Sequence, residues 1–161
     1  MAVTAWWYAG AFIQAFDKEI DFLADDIAIT LHTVTYVPNQ DTHDYFDDLT
    51  NQLTTANGYT AEDGTGTGKL LGGGTKVNSN TNNVVKFDDT VDPAWTATGA
   101  GFTARILVAS DVTTNVTTTD PLLWWSDFGQ NETASGGGTF TYAFAAGGAA
   151  TITPADATGF P

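Results

Sequence analysis

The segment from Ile27 to Asp48 constrains the fold most, because a strand pattern, a stop signal and turn residues follow one another along it. Apolar and β-branched residues alternate with smaller or polar ones from Ile27 to Tyr36, which is the period of a half-buried β-strand. Pro38 ends this strand, and Asp41 or Thr42 can cap a short helix after it. The segment therefore predicts a strand followed by a short helix.

Beyond Leu53 the chain has the pattern of short strands separated by turn residues. In the clearest strand, alternate residues are expected to share one face: Phe102, Ala104, Ile106 and Val108. Further strands are predicted at Val84–Phe87, from Trp95, at Leu122–Phe128, Thr139–Ala145 and Ala149–Thr153, with two more between residues 54 and 83. About eight strands, with two short helices in the N-terminal third, predict a mainly β protein built as a sandwich or barrel.

Aromatic and aliphatic residues recur at helical spacing near the start of the chain. They predict an amphipathic helix over about residues 5–21, which would cover one face of the sheet or dock on another subunit. Gly10 and Gln14 interrupt the apolar run, and no basic stretch precedes it. We therefore expect neither a secretory signal nor a membrane span here.

Charge and cysteine content narrow the classes of partner and chemistry. Nineteen Asp and Glu residues oppose five Lys and Arg residues, which gives a formal net charge of −14, and the cations are scattered. Nucleic acids and anionic membranes bind a basic face, so neither is an expected partner. The absence of cysteine excludes disulfides, thiolate nucleophiles and cysteine-bound metals. A length of 161 residues predicts a single domain over residues 1–161.

Residues 54–83 are rich in Gly, Thr and Asn and are predicted to be flexible. The run Gly64–Lys69 is similar to a phosphate-binding loop, but that pattern requires Gly in place of Asp63 and Ser or Thr in place of Leu70. We therefore expect no nucleotide site and interpret the run as the solvated tip of a hairpin.

No arrangement of side chains in the sequence indicates an active site. Two histidines, His32 and His43, are too few for a three-histidine metal site, and no serine lies in a nucleophile-elbow pattern. The Asp clusters lack calcium-loop spacing and are interpreted as solvated turn residues. A calcium site assembled across loops or subunits, and a carboxylate pair of the glycosidase kind, stay open. We expect no catalytic residue, cofactor or metal.

Aromatic side chains are the strongest candidates for a functional role. Adjacent residues of a strand point to opposite faces, so Trp124 and Trp125 cannot enter the same core layer. The second tryptophan is covered either by the N-terminal helix or a loop, or by another subunit, where Trp is a frequent energetic anchor. The predicted interface residues are Trp6, Trp7, Tyr8, Phe12, Trp124 and Trp125.

Several landmarks occur in an order that resembles a known protein family. They are KEIDF at Lys18–Phe22, YVPNQDTHDYFDDLTNQL at Tyr36–Leu53, NGYTA at Asn57–Ala61, NVVKFD at Asn83–Asp88, TARILV at Thr103–Val108, PLLWWSDFG at Pro121–Gly129 and GGTFTYAF at Gly137–Phe144. With them the chain resembles a family of small virion structural proteins of tailed bacteriophages. The YVPNQDTHDY segment is the most specific part of the resemblance, and the GTGTGKLLGGG insertion departs from the family's pattern.

The resemblance implies a component of the virus particle without catalytic residues. The leading hypothesis is a non-enzymatic capsid decoration or cementing protein on the capsid surface, which binds the major capsid protein and copies of itself as a homotrimer. A tail, neck or baseplate component is the alternative within the same biology. A carbohydrate-binding β module on the virion, with exposed Trp and Asp side chains as a sugar platform, is the alternative of another class, and a small hydrolase is less favoured.

Overall fold

The computed structural model describes residues 4–72, 77–81, 84–144 and 150–152. Its elements in chain order are β1 (Thr4–Trp7), α1 (Ala9–Phe16), β2 (Ile27–His32), a 3₁₀ turn (Phe46–Asp48), β3 (Lys69–Leu70), β4 (Val77–Thr81), β5 (Val84–Asp88), β6 (Ala94–Thr96), β7 (Phe102–Asp111), β8 (Leu122–Ala134), β9 (Thr139–Thr141) and β10 (Ala150–Ile152). The predicted mainly β class is confirmed. The strands from β5 to β10 begin within one residue of their predicted starts.

A five-stranded antiparallel sheet in the order β1-β8-β7-β2-β3 forms the centre of the fold. The two longest strands, β7 and β8, lie in its middle, and β1 extends the edge beside β8. Two smaller antiparallel sheets, β10-β5-β4 and β6-β9, accompany it. The arrangement is sandwich-like, because apolar side chains pack against both faces of the central sheet.

The two faces of the central sheet carry separate apolar clusters. The first face holds the larger cluster, with buried residues Phe22, Ile27, Ile29, Leu31, Tyr59, Leu71, Trp95, Ala104, Leu107, Ala109, Leu123, Trp124 and Phe128. The second face holds Tyr8, Tyr36, Ile106, Val108 and Leu122, with Leu49 and Trp125 partly buried beside them. Because successive side chains point to opposite faces, the same strands supply residues to both apolar clusters.

A β-bulge in the pairing of β7 with β8, where residues 128–131 of β8 stand opposite Arg105 alone, changes the face on which the residues of β7 lie. The pairing register with β8 shifts between Ala104 and Ile106, so that Ile106 joins the second face while Ala104 stays on the first. The prediction that Phe102, Ala104, Ile106 and Val108 share one face is therefore wrong. Arg105 sits at the shift, and its guanidinium contacts the Asp127 carboxylate with Nε and Oδ1 2.5 Å apart.

The predicted helix over residues 5–21 is replaced by a strand and a shorter helix. β1 pairs with β8, so that Trp6 lies opposite Trp125, and the chain turns into α1 at Tyr8. The helix ends at Phe16 because Lys18 adopts a left-handed backbone with φ of 66°, and the Glu19 N–H then donates to the Gln14 carbonyl.

The predicted second helix is a single 3₁₀ turn, Phe46–Asp48. The N–H groups of Phe46 and Asp47 donate to the carbonyls of Asp120 and Thr117, so they are not available to a longer helix. The Asp48 carboxylate accepts the N–H groups of residues 44 and 45 and closes the turn. The preceding strand β2 ends at His32 rather than continuing to Tyr36.

The glycine-rich run after Ala61 is closed around one buried carboxylate. Glu62 is 3% exposed, its Oε1 accepts the N–H groups of residues 63–66, and its Oε2 accepts the N–H of Gly68. The run is therefore closed around Glu62 and leads into β3 rather than forming the predicted hairpin tip, while Thr65 and Thr67 are exposed as predicted. Glu62 itself occupies the ring of N–H donors that would hold a phosphate in a nucleotide-binding loop.

Candidate interaction site

The six aromatic residues of the predicted interface gather around the paired strands β1 and β8, but on both faces of the sheet. Trp6 stacks on Trp125 with ring centroids 4.2 Å apart and an angle of 23° between the planes. On the opposite face, Trp7 meets Trp124 edge to face at 5.7 Å, and Phe12 lies 5.5 Å from Trp7. Direct pairing of the two strands brings each tryptophan of β1 beside its counterpart.

Two of these six residues are core residues of the isolated chain rather than parts of its surface. Trp124 is 1% exposed, and Tyr8 is fully buried, with its hydroxyl 2.9 Å from the Tyr36 hydroxyl. Burial raises the pKa of Tyr8 above its ordinary value. Trp125 is covered by Trp6, so the tryptophan that needed a second cover obtains it from strand β1.

Three exposed large apolar side chains lie together on α1. Phe12, Ile13 and Phe16 are 36%, 62% and 86% exposed, and we call these three side chains the α1 face. The helix turns its small and polar residues inward, where Gly10 and Gln14 are buried. Gln14 donates from Nε2 to the Tyr45 hydroxyl at 2.8 Å. A soluble helix normally buries its large apolar stripe, so this inverted arrangement indicates a contact surface.

Close packing at Gly10 explains why α1 has this orientation. A Cβ atom at this position would lie 2.5 Å from Oδ1 of Asp44, in the loop that precedes the 3₁₀ turn. The same loop accepts the Ala9 N–H at the carbonyl of Gln40. The small residues at the start of α1 therefore let the loop approach, and the large ones face outward.

Acidic side chains flank both ends of the α1 face. Asp17, Glu19 and Asp21 follow the C-terminal end of the helix and are exposed, with Lys18 as the cation among them. At the N-terminal end lies the exposed Asp41, which follows Gln40, whose carbonyl accepts the Ala9 N–H. The last turn of α1 carries no basic residue, so the negative end of the helix dipole adds to the acidic end.

An apolar cavity of about 440 Å³ lies beside the α1 face. Trp7, Phe22 and Phe87 supply aromatic walls, and Phe12 belongs both to the cavity lining and to the α1 face. Lys18 and Asp21 contribute its charged lining. A cavity of this kind can receive an apolar side chain from a molecule seated on α1.

The sequence pattern indicated only part of this surface. Phe12 was predicted as an interface residue, while Phe16 and either Phe12 or Ile13 were predicted to lie on the apolar stripe of a longer helix. The segment AGAFIQAF is apolar on every side except at Gln14, so helical periodicity cannot show which side faces outward. The small residues Gly10 and Ala11 were the available signal, because small side chains mark a side of close packing.

The histidines lie in structural positions. His32 is fully buried, its Nδ1 donates to the Thr50 carbonyl at 2.8 Å, and its Nε2 lies 2.9 Å from the Thr30 hydroxyl. Burial lowers the pKa of His32 to about 4. His43 Nδ1 contacts the Tyr36 hydroxyl at 3.1 Å. Among the hydrogen bonds of the described side chains, neither histidine meets a serine, so these bonds form no hydrolase triad.

The acidic clusters are used within the fold. Asp25 and Asp111 form a close carboxyl pair, and burial together with Asp25 raises the pKa of Asp111 to about 7. Asp88 pairs with Lys86 at 2.7 Å, and the Asp89 carboxylate accepts the Gly72 N–H. In residues 4–72, 77–81, 84–144 and 150–152, no group of three or more His, Asp or Glu side chains is placed to share a metal ion.

Comparison with known proteins found no family model, no characterised protein and no solved structure that the chain matches. In the described part of the chain, α1 is far too short to cross a bilayer, and no helix meets the length and hydropathy that a membrane span requires. The α1 face, its acidic ends and the adjoining cavity are therefore the features of the described structure that bear most directly on function.

Proposed function

We propose that the chain is a non-enzymatic structural protein of a tailed-bacteriophage particle, and most specifically a capsid decoration or cementing protein. In this role it binds the major capsid protein on the outside of the shell and associates with copies of itself as a homotrimer. The family resemblance of the sequence supports the assignment to a virus particle. The exposed α1 face carries the second part of the proposal, which is that the chain acts by binding.

The α1 face supports a binding role because its exposure is costly unless a partner covers it. Ile13 and Phe16 are 62% and 86% exposed, and Phe12 adds its ring beside them. Burying such side chains in an interface is worth roughly 1.5–3 kcal/mol each. The nearby cavity provides a place where a partner's side chain can anchor.

A tail, neck or baseplate location stays the alternative within the same biology, since a binding face serves that role equally well. The carbohydrate-binding alternative is weaker, because it relied on exposed tryptophans. Trp124 is 1% exposed, and one ring face of Trp125 is covered by Trp6. Trp124 therefore offers no stacking platform for a sugar, and Trp125 offers at most one ring face.

The test is the number of copies of the chain per particle. We expect quantitative mass spectrometry of purified phage particles, with the major capsid protein as internal standard, to give a ratio that fits the capsid lattice. Tens of copies or fewer would move the proposal to the tail. Absence of the chain from purified particles would overturn the particle assignment altogether. Sedimentation of the purified chain checks the trimer.

A further inference from the structure

We propose that the α1 face binds an apolar segment of a different protein whose ends carry Lys or Arg, and that it does not bind a second copy of this chain. The inference rests on the proposed function in one respect, because it takes the chain to act by binding another protein. It adds the chemistry of the partner. It also places any self-association of the chain on another surface.

The distribution of charge around α1 selects this partner. The exposed Asp41 lies at one end of the α1 face, and at the other end Asp17, Glu19 and Asp21 outnumber Lys18. The negative end of the helix dipole strengthens the second group. An apolar stripe between two acidic ends is complementary to an apolar stripe between two basic ends.

The same distribution disfavours a second copy. Because both ends of the α1 face are acidic, two copies would bring carboxylates together whether their helices ran parallel or antiparallel. Each chain also carries a formal net charge of −14. Like charges in apposition act against a wrong partner, so self-pairing through α1 is opposed both locally and over the whole molecule. An anionic membrane surface is opposed for the same reason.

The cavity beside α1 supplies the anchor point. Phe12 lines it together with the rings of Trp7, Phe22 and Phe87. One apolar side chain of the partner enters this cavity, and its neighbours cover Ile13 and Phe16. A buried anchor surrounded by charged groups at the rim is the usual anatomy of a specific interface.

The experiment uses the purified chain and two synthetic helical peptides of equal length and with the same leucine stripe. One peptide has lysines at both ends, and the other has glutamates in the same places. Fluorescence anisotropy is expected to show binding of the lysine peptide that is about tenfold tighter or more than that of the glutamate peptide. Equal binding of both peptides would overturn the proposed charge complementarity.

Matched variants separate the α1 face from general attraction between opposite charges. Ile13→Glu and Val34→Glu each add one negative charge at side chains of similar exposure, 62% and 57%. Val34 follows β2 at the end of the central sheet that is remote from α1. We expect Ile13→Glu to weaken lysine-peptide binding about tenfold and Val34→Glu to leave it unchanged. Equal behaviour of the two variants would overturn the site.

Two further measurements test whether a second copy of the chain or a lipid surface binds the α1 face instead. Sedimentation of the purified chain tests for self-association through α1. If the chain forms dimers or trimers that Ile13→Glu dissociates and Val34→Glu does not, a second copy covers α1. Binding to neutral phosphatidylcholine vesicles that Ile13→Glu abolishes would mean that a lipid surface covers it. Either result overturns the inference. Failure of the proposed function is seen separately, as absence of the chain from purified particles, because the peptide experiment needs no particle.

Discussion

His32 lies at the centre of a neutral polar network on the second face of the central sheet. Its ring packs against Tyr36 with centroids 4.6 Å apart, and its two nitrogens meet the Thr50 carbonyl and the Thr30 hydroxyl. The Tyr36 hydroxyl contacts that of Tyr8, and burial raises the pKa of Tyr36 to about 12. At neutral pH these groups are uncharged, which is how a polar cluster is tolerated between packed layers.

Acid should destabilise the fold through His32. Its pKa is about 4 in the folded chain against 6.5 ordinarily, so the unfolded chain takes up a proton first as the pH falls. The contribution of neutral His32 is fully present above pH 6.5 and is lost as the pH falls toward 4. The shift corresponds to about 3 kcal/mol of unfolding free energy. We expect His32→Asn, which keeps a donor toward Thr50, to lack this loss.

Comparing the wild type with His32→Asn separates the contribution of His32 to the unfolding free energy from the contributions of other titrating groups. The raised pKa of Asp111 acts with the opposite sign, since that contribution is present at low pH and lost as the pH rises toward 7. It is common to wild type and His32→Asn and cancels in their difference. Urea unfolding between pH 7 and pH 4 should show the advantage of the wild type shrinking by about 3 kcal/mol. An advantage independent of pH would show that His32 is not responsible.

At the scale of elements, strands with a local pattern could be predicted and elements fixed by distant partners could not. Val84 and Leu122 begin strands where alternation and turn residues predicted them. In contrast, the aromatic start of the chain has helical spacing, and pairing of Trp6 with Trp125 turns it into a strand. The bulge at Arg105 also depends on its partner strand, so alternation within β7 alone could not reveal it.

The Glu62 loop leads directly into edge strand β3, and its closure should depend on the negative carboxylate. Both oxygens of Glu62 accept N–H groups. In Glu62→Gln the amide NH₂ group replaces one of these oxygens, so a donor would face either the N–H of Gly68 or the N–H groups of residues 63–66. We expect a loss of about 2 kcal/mol in unfolding free energy, with faster hydrogen exchange confined to residues 63–68. Glu19→Gln, at an exposed position, is the matched control. Equal stability of the two variants would contradict the proposed role of the carboxylate.

At the scale of the whole molecule, strand β1 meets β8 from the opposite end of the sequence, and α1 follows at the edge of the sheet. This long-range pairing decides which side of α1 is buried. The candidate site was therefore predictable only in part. Its aromatic character could be seen in Trp6 and Phe12, while the exposure of Ile13 and Phe16 depends on where the loop around Asp44 packs.

Net charge is also a property of the whole molecule, and it gives the fold a dependence on salt. A formal charge of −14 on 161 residues opposes compaction, because folding brings the carboxylates closer together. Raising NaCl from about 0.02 M to about 0.2 M shortens the Debye length from roughly 20 Å to roughly 7 Å and screens this repulsion. We expect the unfolding free energy to rise by on the order of 1 kcal/mol, measured by urea unfolding at constant pH.

Glu19→Lys, which makes the charge less negative by two at an exposed position, should be more stable than the wild type at low salt and gain less from added salt. A lower stability at high salt, or the same salt response in both proteins, would mean that local ion pairs such as Arg105–Asp127 outweigh the repulsion among the acids.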